Sequence, residues 1–485
     1  MKVLKFGGAS LKDGNSLKQI CRIIVSTESP KAIVLSAFNN VTDKLNDLLN
    51  NPAPARRGGV SSFISNLKKN HLSFLEQAIP ACHSGANDAT AGRSFSTTCL
   101  TARQVRPETY HLIDKQCRQL ERLFNGLSYT DEITERSRDL ILSFGERLSV
   151  IVIAEALHHL GIDSKIIETD KIGLITDGYF GRASANLPIA RRNIRKHLLP
   201  LIKQGITPII TGYFGCDASG QTTTFGRGGS DYSAAIISYA LNADVLEIWK
   251  DVDGFMSVNP DIIPSAGLIE TLSYKEAVEL AYFGSTILHP RTVEPVLLKN
   301  IPIVIRNTFA PSKKGTKIYN HPIKHNGKAA IKGITYETSI GLIKVHGYGA
   351  GFGYDPEVIQ EITRCLLDKN INIKTIVSAP TGIGLVLGKE DFDDGYSILN
   401  RTKIKLVSGF EKVRNQALIG LVGEGLVGTK GLAARVFQAI SKGNINIGLI
   451  STGASSAAGY FLINGKDLKK TITLLYREFF TKTSG

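Results

Sequence analysis

The sequence predicts an α/β protein with a mainly parallel sheet between helices, followed by two small βαββαβ units of ferredoxin-like layout. Three observations carry this prediction. Short apolar runs alternate with helix-length amphipathic stretches over roughly the first three hundred residues, the pattern of a parallel sheet covered on both faces. Glycine-rich turns, GGAS at 7–10 and FGRGGSD at 225–231, each stand before a helix-like stretch, a layout that points unpaired N–H groups at an anion. Beyond residue 328 the chain repeats itself: KNINI at 369–373 returns as GNINI at 443–447, and GIGLVLGK at 382–389 returns as AGYFLINGK at 458–466.

Taken in order, residues 2–6 form a short apolar strand running into Gly7-Gly8-Ala9-Ser10, and Asn15 or Ser16 then caps a helix with Leu17, Ile20, Cys21 and Ile24 on one face. Residues 32–35 form a second buried strand that ends in Ser36-Ala37, before a polar stretch with Asn39, Asn40 and Thr42. Loops at the carboxyl ends of parallel strands are where such sheets bind ligands. From 51 to 130 the pattern loosens, with Pro52, Pro54, a Gly58-Gly59 pair and a polar run at 85–98, and it reads as a helical excursion with a flexible middle. Order returns with a helix at 133–160, interrupted at Ser143-Phe144-Gly145-Glu146, and strands at 164–167 and 207–210.

The densest stretch is TTTFGRGGSDYSAAIISYAL at 222–241: Gly226, Gly228 and Gly229 permit positive φ or close approach, and Ser230 or Asp231 can cap the apolar run 232–241. A strand at 244–249, the loop Lys250-Asp251-Val252-Asp253-Gly254, a helix at 273–283 and a last strand at 303–306 follow. The Pro, Gly and Lys of 311–316 and 322–328 read as a linker, which closes a first domain at 1–315.

Composition bounds the function. The chain has 485 residues, 42% hydrophobic and 21% charged, ordinary for a globular protein of two or more domains. No apolar run reaches the ~18 residues of a membrane span, and MKVLKFGG turns to glycine too soon for a signal peptide. A cytoplasmic address without membrane attachment is therefore expected. The six cysteines are scattered without a CxxC pair and read as reduced thiols. The formal charge of +15 is spread along the chain without a basic tail, so anionic small molecules are expected as partners rather than nucleic acid.

The paired repeats resemble ACT domains, small-molecule sensing modules that pair side by side and bind amino acids. Five motifs in the same chain resemble, in the right order, the aspartate kinases of the amino acid kinase fold: KFGGAS at 5–10, LSA at 35–37 with Thr42, SFGE at 143–146, TFGRGGSDY at 224–232 and WKDVDG at 249–254. The resemblance spans nearly the whole chain. It implies a catalytic domain at 1–315, a first ACT domain at 328–405 whose residues 328–338 pair with the second, and a second ACT domain at 412–485.

It also implies an activity: transfer of the γ-phosphoryl of ATP, with Mg²⁺, to the β-carboxylate of L-aspartate, opening lysine, threonine and methionine biosynthesis. The chemistry suits the residues. A carboxylate has a reference pKa near ~4 and is already an ionised nucleophile, so no general base is required, and the difficulty is bringing it up to a polyanion. Lys5 is the expected cation at the phosphoryl group, with Gly7, Gly8 and Ser10 beside it on the nucleotide. Arg227 offers a planar fork for a substrate carboxylate. Glu146 or Asp231 would receive the substrate ammonium, Asp231 alternatively orienting Lys5. Ser36 and Thr42 resemble substrate-side contacts, and Lys250 and Asp251 nucleotide-side ones.

The chain departs from the family at several points. Ala9 stands for a usual threonine, Lys250 for the threonine of many members, Asn259-Pro260-Asp261 for Asp-Pro-Arg, and Thr286 for a lysine. Two phosphate-side cations are thus missing, and Lys250 can supply one. Effector contacts are expected at Ile373, Lys374, Ser378 and Ile447. Lysine-sensing relatives place an aspartate where this chain has Lys374, so a neutral amino-acid effector such as threonine is expected to serve at least as well as lysine. ACT pairing implies a homo-oligomer, and the stop at Gly485 soon after the second repeat implies a monofunctional kinase. The alternatives are a kinase-fold regulatory protein without catalysis and a kinase for another carboxylate.

Overall fold

A computed structural model describes residues 1–28, 30–50, 59–84, 105–130, 132–282, 287–320, 331–426 and 428–481. The parts of the excursion at 51–58 and 85–104, and Phe283 and Thr286, lie outside them. The chain separates into two compact units. The first comprises Met1–Phe255, Glu270–Tyr274 and Thr286–His321; the second comprises Met256–Ile269, Lys275–Ser285 and Pro322–Gly485.

The first unit is built on an eight-stranded sheet, taken here in chain order: β1 (Lys2–Phe6), β2 (Lys31–Leu35), β3 (Ser164–Ile167), β4 (Thr207–Thr211), β7 (Val245–Lys250), β8 (Thr271–Ser273), β9 (Ile303–Asn307) and β10 (Thr316–Tyr319). A separate hairpin pairs β5 (Phe214–Cys216) with β6 (Thr222–Thr224). The strand order is β3-β4-β2-β1-β7-β9-β10-β8, parallel except where β9 meets β10. Apart from their first residues, β1 and β2 are buried, as central parallel strands must be. Helices α1 (Gly14–Ser26), α2 (Val41–Asn50), α3 (Val60–Ser84), α4 (Pro107–Thr130), α5 (Glu135–Leu142), α6 (Phe144–His158), α7 (Leu187–Lys203), α8 (Gly229–Leu241) and α10 (Val293–Leu297) accompany it, whereas all of α9 (Tyr274–Tyr282) but its first residue belongs to the second unit. The described helices of the excursion are part of the core: Ile64, Leu67 and Leu75 of α3 and Ile113, Leu120 and Phe124 of α4 pack in one cluster with β1, β2 and α6.

Several local expectations are corrected. Helix α1 is capped by Asp13, whose carboxylate accepts from Ser16 N–H, because the helix begins at Gly14, ahead of its first apolar position Leu17. Helix α8 starts at Gly229 after left-handed Gly228 (φ 72°), with no side-chain cap, so neither Ser230 nor Asp231 caps it and both lie in its first turn. Strand β10 falls where a linker was expected, and it extends the sheet beyond residue 315 because Thr316–Ile318 find the free edge of β9. The segments 256–269 and 275–285 belong to the second unit, not the first.

The second unit is a six-stranded antiparallel sheet ordered β12-β13-β11-β14-β16-β15. In chain order it runs β11 (Gly333–Gly347), α11 (Pro356–Leu367), β12 (Ile373–Ala379), β13 (Gly382–Gly388), α12 (Lys389–Arg401), β14 (Val407–Val422), α13 (Leu432–Ser441), β15 (Ile447–Thr452), β16 (Ala458–Asn464) and α14 (Leu468–Phe480). The two long strands serve both repeats. Gly333–Glu337 pairs with Leu418–Val422, and after an irregularity between Glu337 and Ile340 the rest of β11 lies between β13 and the first half of β14. Ile331 and Ile334 accordingly share a core with α13 and α14, while Ile343 and Val345 share one with α11 and α12. The repeated Asn-Ile-Asn-Ile has a backbone reason: Asn370 (φ 55°) and Asn444 (φ 51°) take the left-handed turn that ends a helix and starts an edge strand.

Candidate active site

The carboxyl ends of β1, β2 and β7 meet the start of α8. Lys5, next to last in β1, is 4% exposed, and its Nζ lies 2.5 Å from Asp231 Oδ1 in the first turn of α8. The other oxygen, Oδ2, faces Lys250 Nζ at 3.2 Å, at the end of β7. Burial works against the Asp231 charge, but Lys250 and Lys5 outweigh it and hold the carboxyl down at about 2. Burial likewise lowers the pKa of Lys5, with Asp231 opposing and Lys250 assisting. The turn between strand and helix is open: a Cβ on Gly7 would lie 3.5 Å from Lys5 Nζ and 4.0 Å from Lys250 Cγ, so glycine keeps that space free.

Glu146, in the first turn of α6, is 2% exposed, and its Oε1 accepts a 3.4 Å bond from Ser230 Oγ. Burial pushes its carboxyl up to about 8, although the Ala37 N–H and Ser230 favour the charged form. The preceding Gly145 is required by contact, since a Cβ there would come within 2.6 Å of Ala37 Cβ and 3.5 Å of Thr42 Oγ1. The SFGE motif thus lies directly against the loop carrying Ser36, Ala37 and Thr42. Ser36 donates its N–H to Phe6 O at 3.1 Å, which ties that loop to β1. Phe38 is braced by His71 and Phe74 of α3, ring centroids 5.0 Å and 5.2 Å away. Helix α3 therefore buttresses the Ser36–Thr42 loop.

Arg227 is exposed between left-handed Gly226 and Gly228, and no ion pair involves it among the described residues. Gly8 sits against Ala37 O, which a Cβ would meet at 3.1 Å. Ser10 is fully buried, with its hydroxyl on Thr308 Oγ1 at 2.8 Å and Trp249 O at 3.4 Å, so it ties the glycine turn to β7 and to the residue just after β9. Asp251 lies 3.7 Å from Lys12, with both side chains about two-fifths exposed.

Three residues near these had no marker in the sequence. Asp139 is completely buried and accepts from Gly181 N, Thr224 N and Thr224 Oγ1 at 2.8, 2.7 and 2.8 Å, tying the 178–182 loop to β6. Arg147 follows Glu146; its guanidinium reaches Asp170 at 2.5 Å and Glu168, and stands over the Phe214 ring. Tyr213 has φ 74°, unusual for an aromatic residue, and burial together with Glu146 raises its pKa. These contacts join residues tens of positions apart, which periodicity cannot reveal.

In the second unit the expected effector residues do not form one cluster. Lys374 lines a cavity of about 260 Å³ with Thr375, Ser451, Thr452 and Tyr460. Its Nζ is 3.2 Å from Glu337 Oε1 and 5.5 Å from the Tyr282 ring centroid. Ile447 lines a different groove, beside Asn444 and Asn446. Ile373 opens β12 opposite Leu387, and Ser378 is exposed near the other end of that strand.

Two lysines sharing one carboxylate, an open glycine turn and a buried acid within one strand-end cluster suit an anionic group brought up to a second anion. The model of the amino acid kinase family matches residues 1–307 and an ACT domain model matches 419–479. Aspartokinase 2, chloroplastic, of Arabidopsis thaliana is 27% identical over 99% of this chain and 84% of that protein. Lysine-sensitive aspartokinase 3 of Escherichia coli is 26% identical over 99% of both. The crystal structure of E. coli aspartokinase III in complex with aspartate and ADP superposes with a TM-score of 0.80 at 25% identity, covering 99% of this chain and 100% of that one. With its family model spanning well over half the sequence and the fold matched along its length, the chain belongs to the amino acid kinase family.

Proposed function

We propose that the protein is an aspartate kinase, converting ATP and L-aspartate to ADP and 4-phospho-L-aspartate. The observation that carries this reading is the buried Lys5–Asp231–Lys250 cluster beside Glu146, at the strand ends where SFGE and the Ser36–Thr42 loop converge. The likeness to a relative solved with aspartate and ADP supports it.

In this reading an oxygen of the substrate β-carboxylate attacks the γ-phosphorus, the new O–P bond forms, and the bond to the bridging oxygen breaks as ADP leaves with its electron pair. No proton need move. Lys5 meets the charge on the phosphoryl group, Asp231 positions Lys5, and Gly7 and Gly8 let the phosphates approach the backbone. Ser10 holds that turn. Arg227 takes the substrate α-carboxylate, Glu146 its ammonium, and Ser36 and Thr42 flank it, while Lys250 and Asp251 serve the nucleotide side. Mg²⁺ enters with ATP as part of the substrate. The ACT pair makes the enzyme a feedback-regulated homo-oligomer, with Lys374 among its effector residues, acting in the cytoplasm at the head of lysine, threonine and methionine biosynthesis.

The test is a hydroxamate assay with Mg²⁺-ATP, L-aspartate and hydroxylamine. Aspartyl hydroxamate should form, and Lys5→Ala should lower kcat by about 10² to 10³. Equal turnover of glutamate, or a Lys5→Ala enzyme of unchanged kcat, would contradict the assignment.

A further inference from the structure

We propose that Lys250 is a second catalytic cation, straddling the transferring phosphoryl group with Lys5 rather than anchoring the adenosine end of ATP. The inference rests on the phosphoryl-transfer reading above and sharpens one residue's role in it.

Sheet geometry comes first. Strands β1 and β7 are parallel neighbours in which Lys5 pairs with Ile248 and Phe6 with Trp249. Paired residues share a face, and residues two apart on a strand share a face, so Lys250 projects to the same side as Lys5. Asp231 meets both there, one oxygen for each ammonium, at 2.5 Å and 3.2 Å. A nucleotide anchor would not need to share the carboxylate that positions the catalytic lysine.

Charge is the second step. Two ammonium groups meet at one carboxylate, in a place where the Lys5 side chain is 5% and that of Lys250 16% exposed. Charge in so dry a place acts strongly on an arriving anion. The opening that Gly7 leaves borders Lys5 Nζ and the Lys250 side chain alike, so an anion entering over the glycine turn meets both. The phosphoryl group in flight carries its charge on three equatorial oxygens while the aspartate oxygen bonds and the ADP oxygen departs, and two cations on different oxygens answer that distribution better than one.

The full-length protein tests this. In the hydroxamate assay Lys250→Met should lower kcat by about 10² to 10³, with ADP affinity by calorimetry within about threefold of wild type. A second readout separates catalysis from architecture: Lys250 is among the charges that lower the pKa of Lys5, so its removal should move the alkaline limb of the kcat profile to higher pH. If circular dichroism shows that Lys250→Met does not fold, Lys250→Gln carries the same two measurements. A neutral variant with kcat within about threefold of wild type and only the KM for ATP raised makes Lys250 a nucleotide anchor and overturns the proposal. Wild type assayed in parallel separates the failures: an active wild type with an active Lys250→Met sinks this inference alone, whereas a wild type that forms no hydroxamate sinks the aspartate kinase reading and this inference with it.

Discussion

With Glu146 receiving the substrate ammonium, as proposed, aspartate binding becomes a proton-linked event. In the free protein burial pushes the Glu146 carboxyl up to about 8, so at pH 7 it is mostly neutral. A substrate ammonium favours the ionised form, and binding at pH 7 must then expel that proton at a cost of about 1.4 kcal/mol for the one-unit gap. The Kd for aspartate should fall about tenfold from pH 6 to 7 and level off near pH 8, with close to one proton released per aspartate at pH 7. Calorimetry in two buffers of different ionisation enthalpy reads the proton directly. Glu146→Gln should bind more weakly and lose the pH dependence. The same group acts on stability: between 4.5 and about 8 the folded chain keeps a proton that the unfolded chain has released, so stability falls as pH rises through that window. The total is on the order of 5 kcal/mol, and Glu146→Gln should abolish it. A flat Kd between pH 6 and 8 with no proton released would refute the argument, because the ammonium would not then be received by the Glu146 charge.

Gly145→Ala should cost about 1–3 kcal/mol, since its Cβ meets the Ala37 Cβ, which cannot swing aside, and it should raise the KM for aspartate more than that for ATP; thermal melts and initial rates check both. Arg227→Lys replaces a fork with a point charge and should raise the KM for aspartate about tenfold with little change for ATP, and equal effects on both substrates would contradict the carboxylate role. Titration of amino acids against the hydroxamate assay should find threonine at least as inhibitory as lysine, because the cation Lys374, paired with Glu337, lines a cavity of the second unit. Strong lysine inhibition that survives Lys374→Ala would contradict that reading, and any inhibitor should weaken aspartate binding reciprocally.

Much of this molecule follows from the sequence alone, where the information is local. Alternation of apolar runs marks strands buried on both faces, glycine turns mark the ends of β1 and the start of α8, and the repeat marks two like units, because periodicity and backbone freedom are properties of neighbours in the chain. Lys5, Glu146, Arg227 and Asp231 stood out for the same reason, each inside a short motif. Partnership over distance was decided only by the tertiary structure. That one carboxylate at 231 holds lysines 5 and 250, that Asp139 gathers donors from 181 and 224, and that Ser10 spends its hydroxyl on Thr308 depend on strand order, which brings remote strand ends together. Burial is the other tertiary property: a glutamate reads as a charged residue in sequence, and only its enclosure beside Ala37 and Ser230 makes it neutral near pH 7. The sequence does not mark β10, because Gly315 and Lys317 look like linker, and the edge of β9 supplies the hydrogen bonds that make it sheet.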